Sequence, residues 1–312
     1  MTAFAMLFPG QGSQAVGMLD AWGERAEVVR TLTEASDALG EDLRKLIHAG
    51  PKDQLDLTVN TQPVMLVAGI ACYRAWIAET GIVPRVVAGH SLGEYSALVA
   101  AGALMLRDAV RLVRFRATAM QDAVPAGQGG MAVILGLDAE AVREGCLAAT
   151  RAVGAPVEAV NFNDPKQTVI AGARAAVDKA CELLKAAGAK RTLVLPVSAP
   201  FHSSLMRPAA EALRKRLAST AIATPSIAVI NNIDLRCESE PNDIRDALTR
   251  QACGPVRWVE LVQSLRAQGV THMVECGPGK VLSGLVKRID ANIVVGNIFD
   301  PDSLQQTKGL LA

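Results

Sequence analysis

Residues Gly89-His90-Ser91-Leu92-Gly93 set a serine between two glycines where an apolar strand gives way to an apolar helix. Val86-Val87-Ala88 reads as a short buried strand, and the stretch Leu92–Ala103 as a helix. A G-x-S-x-G segment in that setting is the signature of a nucleophile elbow. The glycines permit a tight strand-to-helix turn, and the serine hydroxyl is lifted to the edge of a sheet. The helix N-terminus presents free N–H groups and a dipole that favours negative charge. The plain alternative for Ser91 is a helix-capping serine.

The surrounding pattern suits such an elbow. Phe4–Phe8 reads as a buried strand ended by Pro9-Gly10, residues 20–39 as a helix, Val64–Ile77 as a helix apolar nearly all round, and Arg107–Asp122 as another. Alternating strands and helices predict an α/β fold with a parallel sheet covered on both faces. After the Gly-rich break at residues 125–130 the rhythm changes to βαββαβ over about 70 residues, the order of a ferredoxin-like unit. The division expected is therefore a discontinuous α/β domain, 1–126 and 198–312, carrying a small domain at 127–197. The tail after Pro301 is weakly patterned and is expected to fray.

A serine nucleophile needs a base. His90 adjoins Ser91, so their side chains are expected to diverge, with His90 lining the site. His48 stands at a helix end and His272 at the start of a strand. His202, in Ala199-Pro200-Phe201-His202-Ser203-Ser204, occupies a loop between a strand end and a helix start, where α/β sheets place chemistry. The pattern favours His202 and leaves His272 as its rival. No acidic third member stands out. The helix at 243–252 ends before Gly254-Pro255, and its last carbonyls, Gln251's included, lack helical partners. Such a carbonyl can fix the tautomer of an imidazole, although on pattern alone Gln251 reads as a solvated helix residue.

Arg116 stands on the wrong face of its helix. At ~100° per residue, Arg107, Arg111 and Arg114 fall together with Thr118 and Gln121, whereas Arg116 falls among Met105, Ala109, Leu112, Val113 and Met120. A buried arginine is costly unless an anion pairs with it. The anion is either an internal carboxylate or a ligand gripped by the guanidinium fork.

Composition narrows the function classes. Of 312 residues, 50% are hydrophobic and 20% charged, enough apolar surface for a large core. The formal charge of +1 and 4% aromatic content argue against general nucleic-acid or membrane-surface binding. The longest apolar run, 97–106, is about half the ~18 residues of a membrane span. The first basic residue is Arg25, so no secretory leader is expected. Six cysteines without CxxC spacing read as buried free thiols in a reducing cytoplasm, not as a metal site. Gly10-Gln11-Gly12-Ser13-Gln14-Ala15 mimics a dinucleotide fingerprint. The acids at the required distance, Glu34 and Asp37, lie in a helical pattern instead of ending a strand. Gly277-Pro278-Gly279-Lys280 lacks phosphate-loop spacing and reads as a tight turn.

Four blocks together resemble the malonyl-CoA:acyl carrier protein transacylases of fatty-acid synthesis. They are residues 8–14 (FPGQGSQ), 88–95 (AGHSLGEY), 200–203 (PFHS) and 275–282 (ECGPGKVL), in the family's order and spanning nearly the whole chain. The resemblance implies a hydrolase-like α/β domain with a ferredoxin-like insert. It implies Ser91 as the malonylated nucleophile, His202 as its base, and the Gln251 main-chain carbonyl as the group orienting His202. It also implies Gln11 and Leu92 as oxyanion-hole N–H donors, and Arg116 as the receptor of the malonyl carboxylate. His90 would line the site wall, Asn161 or Asn163 the entrance, and Phe201 would match the malonyl-selective form of its block.

The implied reaction is ping-pong, from malonyl-CoA to the phosphopantetheine thiol of an acyl carrier protein, with no metal or redox cofactor. A cytoplasmic monomer is expected. Carriers of this kind are acidic, so a nearly neutral enzyme needs a local basic patch, for which Lys190-Arg191 and Lys287-Arg288 are candidates. The rivals are a malonyltransferase serving a polyketide synthase or a malonate decarboxylase, a serine thioesterase, and a non-catalytic carrier-binding module. Filled nucleophile and base positions disfavour the last.

Overall fold

The computed structural model describes residues 3–197 and 199–312. Met1, Thr2 and Ser198, the last being the expected start of the second large-domain segment, lie outside the described residues. The chain opens with β1 (Phe4–Phe8), α1 (Ala26–Leu39), α2 (Leu43–Ala49), α3 (Lys52–Leu55), α4 (Thr58–Thr80), β2 (Val86–Gly89), α5 (Gly93–Ala100) and α6 (Leu106–Asp122). Its middle comprises β3 (Gly129–Leu135), α7 (Ala139–Val153), β4 (Val157–Asp164), β5 (Gln167–Ala173), α8 (Arg174–Ala186) and β6 (Arg191–Val194). It closes with α9 (Arg207–Ala218), β7 (Ala228–Ile230), α10 (Pro241–Ala252), α11 (Trp258–Ala267), β8 (His272–Cys276), α12 (Val281–Ile289), β9 (Val294–Ile298) and α13 (Pro301–Leu311).

Strands from both ends of the chain form a five-stranded sheet in the order β7-β2-β1-β8-β9, parallel throughout. All five residues of β1 are buried. Because side chains alternate along a strand, Phe4, Met6 and Phe8 enter one core with α4 and α6, while Ala5 and Leu7 enter a second with Trp258, Leu261 and Leu285. A central parallel strand covered on both faces therefore reads as an unbroken apolar run. Each large side chain so buried contributes roughly 1.5–3 kcal/mol.

The middle segment forms a four-stranded antiparallel sheet, β4-β5-β3-β6. One face packs on α7 and α8 through Ala132, Ile134, Ile170, Val142, Val177 and Leu184. The other face, with Met131, Val160 and Val169, packs against Leu195, Val197 and Phe201. Main-chain bonds tie β4 to the connection between α10 and α11. Val256 N–H donates to Val160 C=O at 2.8 Å, and Phe162 N–H donates to Val256 C=O at 3.0 Å.

Several expectations need correction. Residues 20–39 are not one helix: a 3-10 turn at Asp20–Trp22 stops at Gly23, φ 55°, and α1 starts at Ala26. The helix expected at Val64–Ile77 runs from Thr58 to Thr80 and tolerates Pro63. Met105 is not in the apolar stripe of α6; it precedes the first turn and is 67% exposed. The six cysteines are free, but Cys237 is exposed and Cys181 and Cys253 are half-buried. The tail does not fray. Asp300 accepts from Ser303 N–H at 2.7 Å, Ser303 Oγ accepts from Asp300 N–H at 3.0 Å, Pro301 begins α13, and Leu304 and Leu311 are buried. This capping box supplies the start signal that weak periodicity concealed. Among the described residues no helix is long and apolar enough to cross a membrane.

Candidate active site

Between β2 and α5 the chain reverses over His90-Ser91-Leu92. Ser91 takes φ 54°, a left-handed conformation rare for a side chain with a Cβ. The flanking glycines make room for it. A Cβ on Gly89 would lie 1.8 Å from the Gly93 carbonyl carbon, and one on Gly93 would lie 2.0 Å from the Phe8 carbonyl oxygen. Neither obstacle is a movable side chain, so the elbow admits only glycine at both positions. Parallel pairing of Phe8 with Gly89 brings the segment after β1, which holds Gln11, to the same sheet end. Strand ends of this kind are where α/β sheets carry ligands.

Ser91 Oγ lies 2.7 Å from His202 Nε2. The other ring nitrogen, Nδ1, lies 2.9 Å from the Gln251 carbonyl oxygen and 3.2 Å from that of Gly254. Two carbonyls can only accept, so Nδ1 carries a hydrogen and Nε2 is free to take one from Ser91. Burial, with Arg116 adding to it, pulls the His202 imidazole down to about 3, so the ring is neutral near pH 7. Gln251 is fully buried at the end of α10, contrary to the solvated-face reading of its residue pattern. Its amide explains why: Oε1 accepts from Arg116 Nη2 at 3.0 Å, and Nε2 donates to Ser91 C=O at 2.9 Å and Glu94 Oε2 at 3.0 Å.

Arg116 is 2% exposed. Its guanidinium donates to Gln62 Oε1 at 2.8 Å and to Ser91 Oγ at 3.2 Å, and it lies over the Tyr95 ring at 5.4 Å from the centroid. Among the described residues no carboxylate forms a salt bridge with it. The internal carboxylate that acts on Arg116 is Glu94, through space and through the Gln251 amide, without a direct ion pair. A cationic group stands beside the serine hydroxyl with only neutral hydrogen-bonding partners.

A cavity of about 130 Å³ collects these groups. Gln11, His90, Ser91, Leu92, Arg116, Asn161, Phe201 and His202 all line it, with Gln62, Met120, Met131, Leu195 and Val197. Its walls thus come from the four-stranded sheet and from helices and strand-end loops around the five-stranded one. Asn163 stands behind the wall, its Oδ1 2.8 Å from His90 Nε2, and burial lowers the His90 pKa. Among the described residues neither the Gln11 nor the Leu92 main-chain N–H has an acceptor, whereas the Ser91 N–H is taken by Asn232 Oδ1 at 2.7 Å.

The other candidates stand apart. His272 Nδ1 contacts Thr271 Oγ1 and His48 Nδ1 contacts Asp20 Oδ1, each at 2.9 Å and neither at the cavity. Lys190, Arg191, Lys287 and Arg288 are exposed, and Arg288 Nε is bonded to Asp164 at 2.6 Å. A larger depression of about 570 Å³ between α1 and α2 is lined by Asp20, Glu24, Arg44 and His48 among others, and holds no serine–histidine pair. Residues 30–39 of the dinucleotide-like segment are helical, so the strand that motif requires is absent there. Residues 277–280 form a bend between β8 and α12. Sequence reasoning missed Gln62, Glu94 and Asn232. Gln62 and Glu94 carried the same signal as Arg116, a polar residue in an apolar helix; Asn232 carried none.

Comparison with known proteins is consistent with this geometry. Residues 5–291 match the acyl transferase domain family. The chain belongs to the acyl transferase family. This acyl transferase is 50% identical over 305 residues to the malonyl CoA-acyl carrier protein transacylase of Escherichia coli strain K12, covering 97% of this chain and 98% of that one. It resembles the solved acyl-carrier-protein S-malonyltransferase of Burkholderia pseudomallei at 61% identity and TM-score 0.96, covering 98% and 99% of the two chains. A solved type II PKS acyl-carrier protein in complex with its malonyl-transacylase matches at 46% identity and TM-score 0.96, over 98% of each chain.

Proposed function

We propose that this acyl transferase moves malonyl groups from malonyl-CoA to the phosphopantetheine thiol of an acyl carrier protein, as the names of its relatives describe for them. The observation that carries the reading is Arg116. A buried guanidinium with no carboxylate bonded to it, 3.2 Å from Ser91 Oγ, suits an acyl group that ends in a carboxylate.

Ser91 Oγ attacks the thioester carbonyl carbon while its proton passes to His202 Nε2. The carbonyl oxygen, now negative, is held by the Gln11 and Leu92 N–H groups; such donors are worth roughly 10²–10³ in rate. The tetrahedral intermediate collapses, the carbon–sulfur bond breaks, and the proton on His202 leaves with the CoA thiol. A malonyl-serine ester remains. The carrier thiol then gives its proton to His202 and attacks the ester, and the proton returns to Ser91. Two substrates using one cavity in turn produce ping-pong kinetics. Nucleophile, base, oxyanion donors and carboxylate receptor are all groups of this chain, so the scheme draws on no metal or redox cofactor.

The same reading takes the five-stranded sheet and its helices, 1–126 with 198–312, as a hydrolase-like domain. The four-stranded sheet, 127–197, is its ferredoxin-like insert, its strand order supporting that reading. His90, Phe201 and Asn161 form the acyl-site wall and Asn163 braces His90. The working form is a cytoplasmic monomer. A carrier from a polyketide synthase in place of one from fatty-acid synthesis fits the same site.

Intact mass after mixing with malonyl-CoA tests the reading. One malonyl adduct is expected, mapped by digestion to Ser91 and lost in Ser91→Ala. An adduct on a cysteine would overturn the nucleophile. Free malonate released without transfer to a pantetheine thiol would make the protein a thioesterase.

A further inference from the structure

Glu94 takes no part in the chemistry above, yet its carboxylate is buried at 2% exposure one turn beyond the nucleophile. Its Oε2 accepts two hydrogen bonds, from Asn232 N–H at 2.9 Å and from Gln251 Nε2 at 3.0 Å. Both partners grip the main chain of Ser91. Asn232 Oδ1 accepts from Ser91 N–H at 2.7 Å, and Gln251 Nε2 donates to Ser91 C=O at 2.9 Å. Asn232 is fixed in turn, because its Nδ2 donates to Gly89 C=O at 2.7 Å. Both hydrogens of Gln251 Nε2 are thus spent on Glu94 and Ser91, which leaves Oε1 facing Arg116. Ser91 needs such a grip. A non-glycine residue at φ 54° carries about 1–3 kcal/mol of strain and persists only where its surroundings over-determine it.

Resting on the reading of Ser91 as nucleophile, we propose that Glu94 is a positioning residue, one carboxylate oxygen anchoring the Asn232 and Gln251 groups that clamp the Ser91 main chain from both sides. Direct pairing with Arg116 is not its role, since the Gln251 amide is bonded to both and stands between them. Both bonds reach one atom, Oε2, so an amide oxygen in its place can accept both.

The test uses the full chain, single-turnover acylation by saturating malonyl-CoA, and labelling by an uncharged fluorophosphonate, which reads Ser91 without engaging Arg116. Glu94→Ala is expected to slow both reactions about 10–100-fold with KM for malonyl-CoA within about threefold, as a nucleophile out of place should. Glu94→Gln, which keeps an acceptor oxygen, is expected to restore both to within about threefold of the parent. Should Glu94→Ala not fold, Gln251→Leu cuts one arm of the clamp while keeping the main-chain carbonyl for His202, and is expected to slow fluorophosphonate labelling too. Parent-like rates in Glu94→Ala, a change confined to KM, or a Glu94→Gln as slow as Glu94→Ala would overturn the proposal. A parent enzyme that forms no Ser91 adduct would instead overturn the nucleophile assignment itself.

Discussion

Ser91 Oγ and His202 Nε2 meet at 2.7 Å from two backbone positions that are both left-handed, at φ 54° and 65°. The contact is therefore assembled from strained turns and held by hydrogen bonds, with His202 Nδ1 directed at the Gln251 carbonyl. Replacing His202 separates base from strain. His202→Ala and His202→Gly should both lose about 10²–10⁴ in acylation rate. Glycine reaches positive φ without steric cost, so His202→Gly should melt above His202→Ala. Equal melting temperatures would mean that the loop, not the residue, carries the strain.

Arg116→Ala should cost malonyl transfer about 2–5 kcal/mol, as truncating one member of a desolvated charge pair does. Acetyl-CoA, which lacks the malonyl carboxylate, should react as well as or better than with the parent. Arg116→Lys should rescue only part, for want of a planar fork. Arg116 is also one cause of the low His202 pKa. A carboxylate on the guanidinium offsets that charge, so malonyl binding strengthens His202 as the base that takes the Ser91 proton. Equal loss of both thioesters, measured as kcat/KM on folded variants, would make Arg116 a scaffold residue.

Two buried groups set opposite pH slopes. His202, lowered to about 3, stays neutral in the folded chain, so acylation should show no inflection near pH 6.5. Unfolded, the same ring takes a proton below about 6.5, so its share of stability falls as pH drops through that window. Glu94 is pushed up to about 7, first by burial and also by Asp234, against its bonds to Gln251 and Asn232 and the charge of Arg116. Between about 4.5 and 7 the folded state binds its proton more tightly than the unfolded chain, so this share of stability falls as pH rises. The Tm of Glu94→Gln minus that of the parent should therefore climb across that interval and then level off, the His202 contribution cancelling. A flat difference would contradict the raised Glu94.

Carrier docking is testable by charge reversal. Lys190→Glu with Arg191→Glu should raise the KM for an acidic carrier, leave self-acylation by malonyl-CoA intact, and reduce the salt sensitivity of transfer. At the second patch Arg288 already neutralises Asp164, so Lys287→Glu is the cleaner probe. Unchanged carrier kinetics at low ionic strength for both sets would exclude both patches.

The elbow, the apolar β1 strand and the misplaced Arg116 were legible because each breaks or keeps a local period. Gln251 was not, because the reason for its burial lies across the fold in Ser91, Glu94 and Arg116, while its own helix neighbours are mostly polar. Asn232 follows a three-residue strand too short to show a period. The end of the chain was misread for another reason: α13 is fixed by its first turn and by two buried leucines more than by a continuous apolar face.

The two hydrogen bonds at Val160, Phe162 and Val256 run between peptide groups. A joint of this kind is indifferent to which side chains flank it, provided that no proline removes a donor. The wall that the small sheet gives to the cavity is thereby registered against the chain after α10 by two bonds that a change of side chain at Val160 or Val256 leaves in place.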